Sequence, residues 1–231
     1  MIKKIKKILL RLFDRLFPNK LYGTTSYSQD GEDILLASFY EDKRDYKGFY
    51  IDVGAHHPYR FSNTCYFYKR GWHGINIEPT PDLFKRFKCR RRDINLNCGI
   101  GNGEKLDFYV FNEGALNTFD KELAQQRNGS HNNKYKIKEV LSIQTRSLKD
   151  IFNEYLPANT KIDFITIDVE GMDFNVLKSN DWTKYNPEFI LVECAEKIDS
   201  IGSDEVYQYL TAKNYTMVGR TRRTSLFRYG G

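Results

Sequence analysis

Two acidic residues stand at the ends of neighbouring apolar runs, where their side chains could bind a ligand. The run at 48–54 carries Asp52 just before Gly54, and the next run, at 75–78, ends at Glu78. A glycine in a turn lets the backbone approach a ligand closely, and an acid at the end of the second strand can accept both hydroxyls of a ribose. The pair predicts a site for a nucleoside-containing cofactor. Either acid alone is also compatible with a tight turn followed by a surface acid.

The motifs for other nucleotide ligands are absent from the sequence. The first turn is not G-x-G-x-x-G, because His56 and His57 occupy positions where a pyrophosphate loop needs glycine. No G-x-x-x-x-G-K-[ST] loop occurs either, which disfavours a nucleotide triphosphatase. The segment Gly99-Ile-Gly-Asn-Gly103 contains Asn-Gly between two predicted strands, so we interpret it as a hairpin turn.

The elements that must position these acids follow an alternating pattern of short apolar runs and helical segments. This pattern predicts βαβ units and a mainly parallel sheet in one α/β domain over 21–231. A polar, irregular insertion at about 112–138 is expected to form a mobile flap. The predicted strands are 48–54, 75–78, 94–100, 106–111, 140–145, 164–168, 188–193, 215–218 and 225–228, and the predicted helices are 63–70, 81–88, 148–155, one after 171, and 204–213.

Five ordered blocks make the chain resemble the FkbM family of methyltransferases over about 26–195. They are Ser28-Gln-Asp-Gly-Glu-Asp33, Tyr50-Ile-Asp-Val-Gly-Ala-His-His-Pro58, Phe61-Ser-Asn-Thr64, Gly71-Trp-His-Gly-Ile-Asn-Ile-Glu-Pro79 and Ile167-Asp-Val-Glu-Gly171. The resemblance implies a Rossmann-like class I methyltransferase fold, a mostly parallel seven-stranded sheet with helices on both faces. It also implies S-adenosylmethionine as the methyl donor and, most often, a hydroxyl of a sugar or polyketide-type molecule as the acceptor.

The resemblance also implies which residues bind the cofactor. By the family pattern, Asp52, Gly54 and Ala55 line the methionine side, and Glu78 holds the ribose. His56 stands where many members carry Asn, so its role in the cofactor turn is open. Three further candidates lie at the N-terminus of the predicted helix 63–70, a position that favours an anion such as the cofactor carboxylate, although simple capping explains them equally well. They are Ser62, Asn63 and Thr64.

Methyl transfer to an alcohol usually needs a base for the hydroxyl proton. Asp168 and Glu170 follow the strand 164–168, and we predict them, together with His57, as catalytic residues. Asp168 could instead cap the next helix, and Glu170 could instead organise the turn at Gly171. In the irregular insertion, Asn117 and Thr118 are candidates for contact with the acceptor on resemblance alone.

The same region also fits a divalent metal site. Carboxylates on adjacent strand ends beside a histidine offer the oxygen and nitrogen ligands of such a site. His56, Asp168 and Glu193 are the candidate ligands. A metal there could orient the acceptor and lower the pKa of its hydroxyl. The alternative for Glu193 is an ion pair with a basic neighbour.

The net charge of +6 lies within positions 1–20, so the rest of the chain sums to zero. Local basic clusters remain at 88–92 and 220–223. A nucleic-acid methyltransferase is a competing hypothesis, but the amino-directed members of that class carry an [DN]-P-P-[FYW] loop where this chain has Asp168-Val-Glu-Gly171. We therefore expect a small sugar-type acceptor and no nucleic-acid partner.

Residues 1–20 predict a basic amphipathic helix that ends before Pro18, too short and too charged to span a bilayer. Its apolar face over 1–17 could lie on an anionic membrane, or pack on the domain or on a second copy in a homo-oligomer. The four scattered cysteines and the lack of a signal peptide lead us to expect a cytoplasmic protein with unpaired thiols, either free or peripheral on the inner membrane face. A non-catalytic membrane-associated binding module of the same fold is the third functional hypothesis.

Overall fold

The computed structural model describes residues 2–18, 22–43, 45–194 and 196–230. Met1, Asn19 and Lys20 of the predicted N-terminal helix therefore lie outside the described residues. Ten strands form two sheets: β1 (Phe49–Val53), β2 (His73–Ile77), β3 (Ile94–Leu96), β4 (Gly99–Ile100), β5 (Lys105–Phe111), β6 (Ile137–Arg146), β7 (Phe164–Ile167), β8 (Phe189–Glu193), β9 (Tyr215–Arg220) and β10 (Thr224–Tyr229).

The helices are α1 (Ile2–Leu16), α2 (Glu32–Ala37), α3 (Cys65–Tyr68), α4 (Pro81–Arg90), α5 (Lys121–Arg127), α6 (Ser130–Asn133), α7 (Leu148–Tyr155), α8 (Asp173–Lys178) and α9 (Glu205–Ala212). Short 3₁₀ turns occur at Ser38–Tyr40, Gly114–Leu116 and Ile198–Ser203.

The main sheet has seven strands in the order β3-β2-β1-β7-β8-β10-β9. The first five are parallel to one another, and β10 runs antiparallel to β8 and β9. The chain builds outward from β1 to β3 and then returns to build the other half from β7. The strand order therefore reverses between β1 and β7, and their carboxyl ends form the crevice where ligands bind in open α/β sheets.

Both faces of the main sheet are covered, which explains why its central strands are mostly apolar. Alternate residues of β1 point to opposite sides: Ile51 joins a core with α7, α8 and α9, whereas Tyr50 joins an aromatic core with α2 and α3. Phe67 and Trp72 anchor this second core against Phe164 of β7. The predicted seven-stranded, mostly parallel α/β fold with helices on both faces is confirmed.

Two local predictions between 94 and 103 are wrong. The single strand 94–100 is divided: β3 pairs with β2 in the main sheet, whereas β4 pairs with β6 in a second, three-stranded sheet. The Asn97 side chain marks the departure, because its amide donates to the carbonyls of Glu78 and Pro79. The predicted hairpin at 99–103 does not form either, because β4 and β5 lie on opposite sides of β6.

The insertion at 112–138 contains regular structure that its polar composition hides. Asp120 caps α5 by accepting from the Leu123 N–H, and Ala124 of that helix packs against Tyr109 and Phe111 of β5. A backbone bridge between Tyr109 and Thr118 joins the start of the insertion to the second sheet. The insertion is thereby held over the carboxyl ends of β1 and β7.

Candidate active site

A cavity of about 730 Å³, including its open mouth, lies at the carboxyl ends of β1, β2 and β7. The main sheet and its loops supply one wall, and the insertion supplies the other. The sheet wall carries Asp52, Gly54, His56, Asn63, Glu78, Thr166 and Asp168; the insertion wall carries Gly114, Ala115, Asn117 and Phe119.

Gly54 sets how closely the two central strands meet at the floor of the cavity. Its φ of +79° is in the left-handed region, and a Cβ there would lie 2.0 Å from the carbonyl oxygen of Asp168. Backbone hydrogen bonds fix the crossing, because Gly54 N–H donates to Ile77 and Asp168 N–H donates to Val53. Only glycine meets both requirements without displacing a strand.

Asp52 is buried at the end of β1, and one of its carboxylate oxygens accepts a side-chain hydrogen bond. The Thr64 hydroxyl donates to Asp52 Oδ2 at 2.6 Å. Burial raises the pKa of Asp52 to about 6, and the Thr64 hydrogen bond and the Arg91 charge limit that rise. The carboxyl group is therefore placed rigidly and takes up a negative charge near neutral pH.

Glu78 is buried at the end of β2 and accepts two backbone hydrogen bonds. The N–H groups of His56 and Thr80 donate to its two carboxylate oxygens, each at 2.7 Å. Burial raises the pKa of Glu78 to about 7, while the hydrogen bonds from Thr80 and His56 oppose that rise. Each oxygen keeps a lone pair for a ligand. Asp52 and Glu78 thus line one cavity, as a ribose-binding and methionine-binding pair must.

The histidines of the first turn point in different directions. His56 lines the cavity with its Nδ1 buried and unpartnered among the described residues, and burial together with Arg60 lowers its pKa to about 4. His57 instead accepts from the N–H groups of Tyr59 and Arg60 and faces a separate hollow on the surface. The structure does not bring the predicted catalytic His57 to the cavity.

The remaining cofactor candidates divide in the same way. Asn63 lines the cavity, and its amide donates to the Thr166 hydroxyl at 2.8 Å. Ser62 and Thr64 are buried behind it: Ser62 accepts from the Cys65 N–H, and Thr64 orients Asp52. Ala55 is buried beside Gly54 without lining the cavity. These three support the site from behind rather than form its surface.

The Asp168 side chain is exposed to solvent in the cavity, although protein atoms surround it closely at the end of β7. Burial raises the pKa of Asp168 well above its ordinary value, and the neighbouring Glu193, Glu170 and Asp173 raise it further by repulsion. Burial also raises the pKa of Glu193, with Glu170 adding to it. A cluster of carboxyl groups that repel one another favours a cationic ligand, and a sulfonium ion has that charge.

Glu170 has a different environment from Asp168 although it is two residues away. It has a φ of +54° and forms an ion pair of 2.5 Å with Arg127 of α5, while its carbonyl accepts from the Thr118 hydroxyl. These contacts join the turn after β7 to the insertion. Glu170 thus has a positioning role in the structure, whereas Asp168 forms no ion pair of this kind within the described part of the chain.

The predicted metal ligands do not assemble. Among the described residues, no group of three or more His, Cys, Asp and Glu side chains is arranged to hold a metal ion. His56 faces Arg60 and Glu113, whereas Glu193 lies on the far side of Asp168, in a cleft with Arg223. No chemical step is therefore assigned to a metal held by His56, Asp168 and Glu193.

Arg91 supports the loop beside the cavity, although the sequence places it in a basic cluster typical of a surface. It is fully buried, donates to the Pro58 carbonyl at 2.5 Å and to Ser62 Oγ at 3.2 Å, and lies 3.8 Å from Asp93. These contacts attach the loop that carries Pro58 and Ser62 to the segment before β3. The 88–92 cluster is therefore not a continuous exposed surface.

Several lining residues had no clear signal in the sequence. Phe108 and Phe119 pack on the insertion side with ring centroids 4.5 Å apart and planes tilted by 44°. Asn117, which the resemblance suggested as an acceptor contact, lines the same cavity and donates to the Thr80 hydroxyl. Gln29 reaches the cavity from the first resemblance block. The collinear position of that block could have predicted Gln29 as a lining residue. The sequence could not predict Phe108 and Phe119, because tertiary packing alone places them at the cavity.

The strand order and the acids at the switch point define a Rossmann-like class I methyltransferase. The sequence matches the family model described as "Methyltransferase FkbM domain" over residues 52–217, and the chain belongs to this family. The family and fold imply S-adenosylmethionine, and the residues present fit it: two acids line one cavity, Gly54 permits close approach, and repelling carboxyls favour a cation. None of the curated proteins matches the sequence significantly.

A solved structure similar to this chain is a putative caffeoyl-CoA O-methyltransferase from Staphylococcus aureus. The identity is 12%, the alignment covers 97% of this chain and 99% of that chain, and the TM-score is 0.42.

Proposed function

We propose that the protein transfers a methyl group to a hydroxyl of a sugar-type acceptor, with Asp168 as the base. The observation that carries the proposal is the position of Asp168, which lines both the cofactor cavity and a neighbouring cleft with Glu193 and Arg223. A carboxylate shared by two cavities can contact an acceptor in one while the cofactor occupies the other.

The cleft leads outward to a route for the acceptor. Glu193 and Arg223 line the cleft and also an open hollow beyond it, which has about 1320 Å³ of empty space including its mouth. Gln29 and Asn63 line the cleft from the other side. Carboxylates and amides of this kind accept and donate hydrogen bonds to several hydroxyls at once, which supports a sugar-type acceptor.

S-adenosylmethionine, when bound, supplies an electrophilic methyl group. Asp52 and Glu78 would hold the cofactor end of the cavity. Asp168 would accept the proton of the acceptor hydroxyl as its oxygen bonds to the methyl carbon, while the carbon–sulfur bond breaks and S-adenosylhomocysteine leaves. Burial and the neighbouring Glu193 raise the pKa of Asp168, so its ionised form binds a proton more strongly than an ordinary aspartate does. Glu193 orients the acceptor beside Asp168.

The first test is binding of S-adenosylmethionine to freshly purified protein by titration calorimetry. We expect a dissociation constant of micromolar order or tighter, and the absence of binding would refute the enzyme assignment. The second test measures S-adenosylhomocysteine release with a panel of nucleotide sugars, simple glycosides and non-sugar alcohols. Turnover with only the non-sugar alcohols would refute the sugar acceptor while preserving methyl transfer. Cofactor binding without turnover on any acceptor would favour the non-catalytic module.

A further inference from the structure

Helix α1 presents an apolar face that the rest of the described chain does not cover. Five of the large apolar side chains that the structure describes in this helix recur at helical three-and-four spacing, and each is between 41% and 59% exposed: Ile5, Leu9, Leu12, Phe13 and Leu16. We call these five residues the apolar face of α1. A contiguous exposed apolar surface of this kind marks an interaction site, because single exposed apolar residues are ordinary but rows of them are not.

The opposite side of α1 is cationic. Lys7, Arg11 and Arg15 recur every four residues and are exposed. Asp14 is the only acid in the helix, and its hydrogen bond with Tyr22 raises the pKa of that tyrosine. The helix therefore combines an exposed apolar face with a positive face, and its acid is already engaged within the chain.

Electrostatics distinguishes the two partners that could cover the apolar face of α1, a second copy of the chain and an anionic bilayer. Two copies of α1 packed side by side would bring basic flanks together, whereas paired helices normally match opposite charges beside their apolar seam. An anionic bilayer accepts both faces at once, since the apolar side chains enter the acyl boundary and the cations remain at the headgroups. The net charge of +6 lies entirely within positions 1–20, so the attraction is concentrated at this helix.

We propose that α1 docks the protein on an anionic lipid surface, lying in its plane. The 15 residues of α1 extend roughly 22 Å at about 1.5 Å per residue. None of the described helices is long and apolar enough to cross a membrane. Docking rather than spanning is therefore the geometry that fits. The proposal does not depend on the methyltransferase chemistry, because α1 contributes no residue to the cavity.

The test is sedimentation of the full chain with vesicles of phosphatidylcholine alone and of phosphatidylcholine with roughly 30% phosphatidylglycerol, an anionic fraction that attracts polybasic helices. We expect pelleting with the anionic vesicles, weaker pelleting at about 0.5 M salt, and little with the neutral ones. Leu9→Asp and Leu12→Asp should each weaken partitioning at least about tenfold. Lys7→Gln with Arg11→Gln should remove the preference for anionic lipid.

Val140→Asp is the matched control, because Val140 is an exposed apolar residue on β6, remote in sequence from α1. It should pellet like the unmodified chain. Binding of S-adenosylmethionine should be unchanged in every α1 variant, which shows that each one is folded. Pelleting that survives Leu12→Asp, or that is equal with neutral vesicles, overturns the proposal. A lipid-free dimer that Leu12→Asp converts to a monomer, without vesicle binding by either, assigns the apolar face to a second copy instead.

Discussion

The two sides of the cavity hold their carboxylates in opposite ways. Asp52 and Glu78 are fixed by hydrogen bonds from Thr64, His56 and Thr80. Burial raises the pKa of all four carboxyl groups. Asp168 and Glu193 differ in that neighbouring carboxylates are the main further cause, Glu193 for Asp168 and Glu170 for Glu193. The first pair is preorganised by these hydrogen bonds, whereas the second pair lines the cleft where the proposed acceptor would bind. Under the proposed function, binding and chemistry fall to different strand ends of the same sheet.

The largest effect is expected from Asp168→Asn, which removes the proposed proton acceptor. Turnover on an acceptor found in the panel should fall by about 10²–10⁴-fold, while the dissociation constant of S-adenosylmethionine changes only a few-fold. Steady-state kinetics and calorimetry measure the two quantities. Glu170→Gln is the matched control, because Glu170 is engaged with Arg127, and its turnover should fall less than about tenfold. The reverse order of the two variants would move the base to Glu170.

Gly54→Ala tests the backbone contact that joins the two sides. The added Cβ would lie 2.0 Å from the Asp168 carbonyl oxygen at a φ of +79°, so strain and displacement of a strand end should cost about 3 kcal/mol of unfolding free energy. Denaturant unfolding measures the loss, and cofactor affinity and turnover should fall together. Gly103→Ala is the control, since it has a similar φ but open space around it. Equal losses in both variants would show that φ alone, and not the strand contact, is responsible.

Glu78→Gln tests the binding side alone. The amide can accept only one of the two N–H groups that the carboxylate accepts, so affinity for S-adenosylmethionine should fall about thirtyfold, equivalent to about 2 kcal/mol. Turnover at saturating cofactor should change much less. Calorimetry combined with kinetics at high cofactor concentration measures both. A loss of turnover as large as that of Asp168→Asn would contradict the division of roles between the two sides.

The sequence predicted the parts of this site that local pattern determines. Apolar runs specify the buried parallel strands, and the carboxyl ends of such strands meet at one edge, which is why Asp52, Glu78 and Asp168 could be placed together. It could not predict that His57 faces away from the cavity. That orientation depends on His56, whose φ of +53° turns the chain at the cavity rim, and a positive φ at a non-glycine residue leaves no mark in the sequence pattern.

Long-range contacts account for the other failures. The helix α5 is polar enough to read as loop, and its position depends on the Asp120 cap and on packing against Tyr109 and Phe111. Arg91 lies in a run of basic residues typical of a surface, yet it is buried, where it donates to Ser62 and to a carbonyl and lies 3.8 Å from Asp93. In both cases the decisive partners are distant in sequence or hidden by local composition, so periodicity cannot reveal them.

The smallest effect is a pH dependence of stability in the cofactor-free protein. The pKa of Glu78 is raised to about 7 from its ordinary 4.5, and that of Asp52 to about 6 from 3.8. A carboxyl group with a raised pKa stabilises the fold fully below its unfolded pKa, and this stabilisation is lost as the pH rises through the folded pKa. The free energy of unfolding should therefore fall by about 2 kcal/mol between about pH 6 and pH 8. Urea unfolding across that range measures the loss, and Glu78→Gln should reduce it by more than half.

Saturating S-adenosylmethionine should also flatten the dependence, because its positive charge favours the ionised carboxyls. A stability that rises over this range in the cofactor-free protein would show that the carboxyls on the binding side are already ionised, and that the two sides of the cavity do not differ in the way that their contacts indicate.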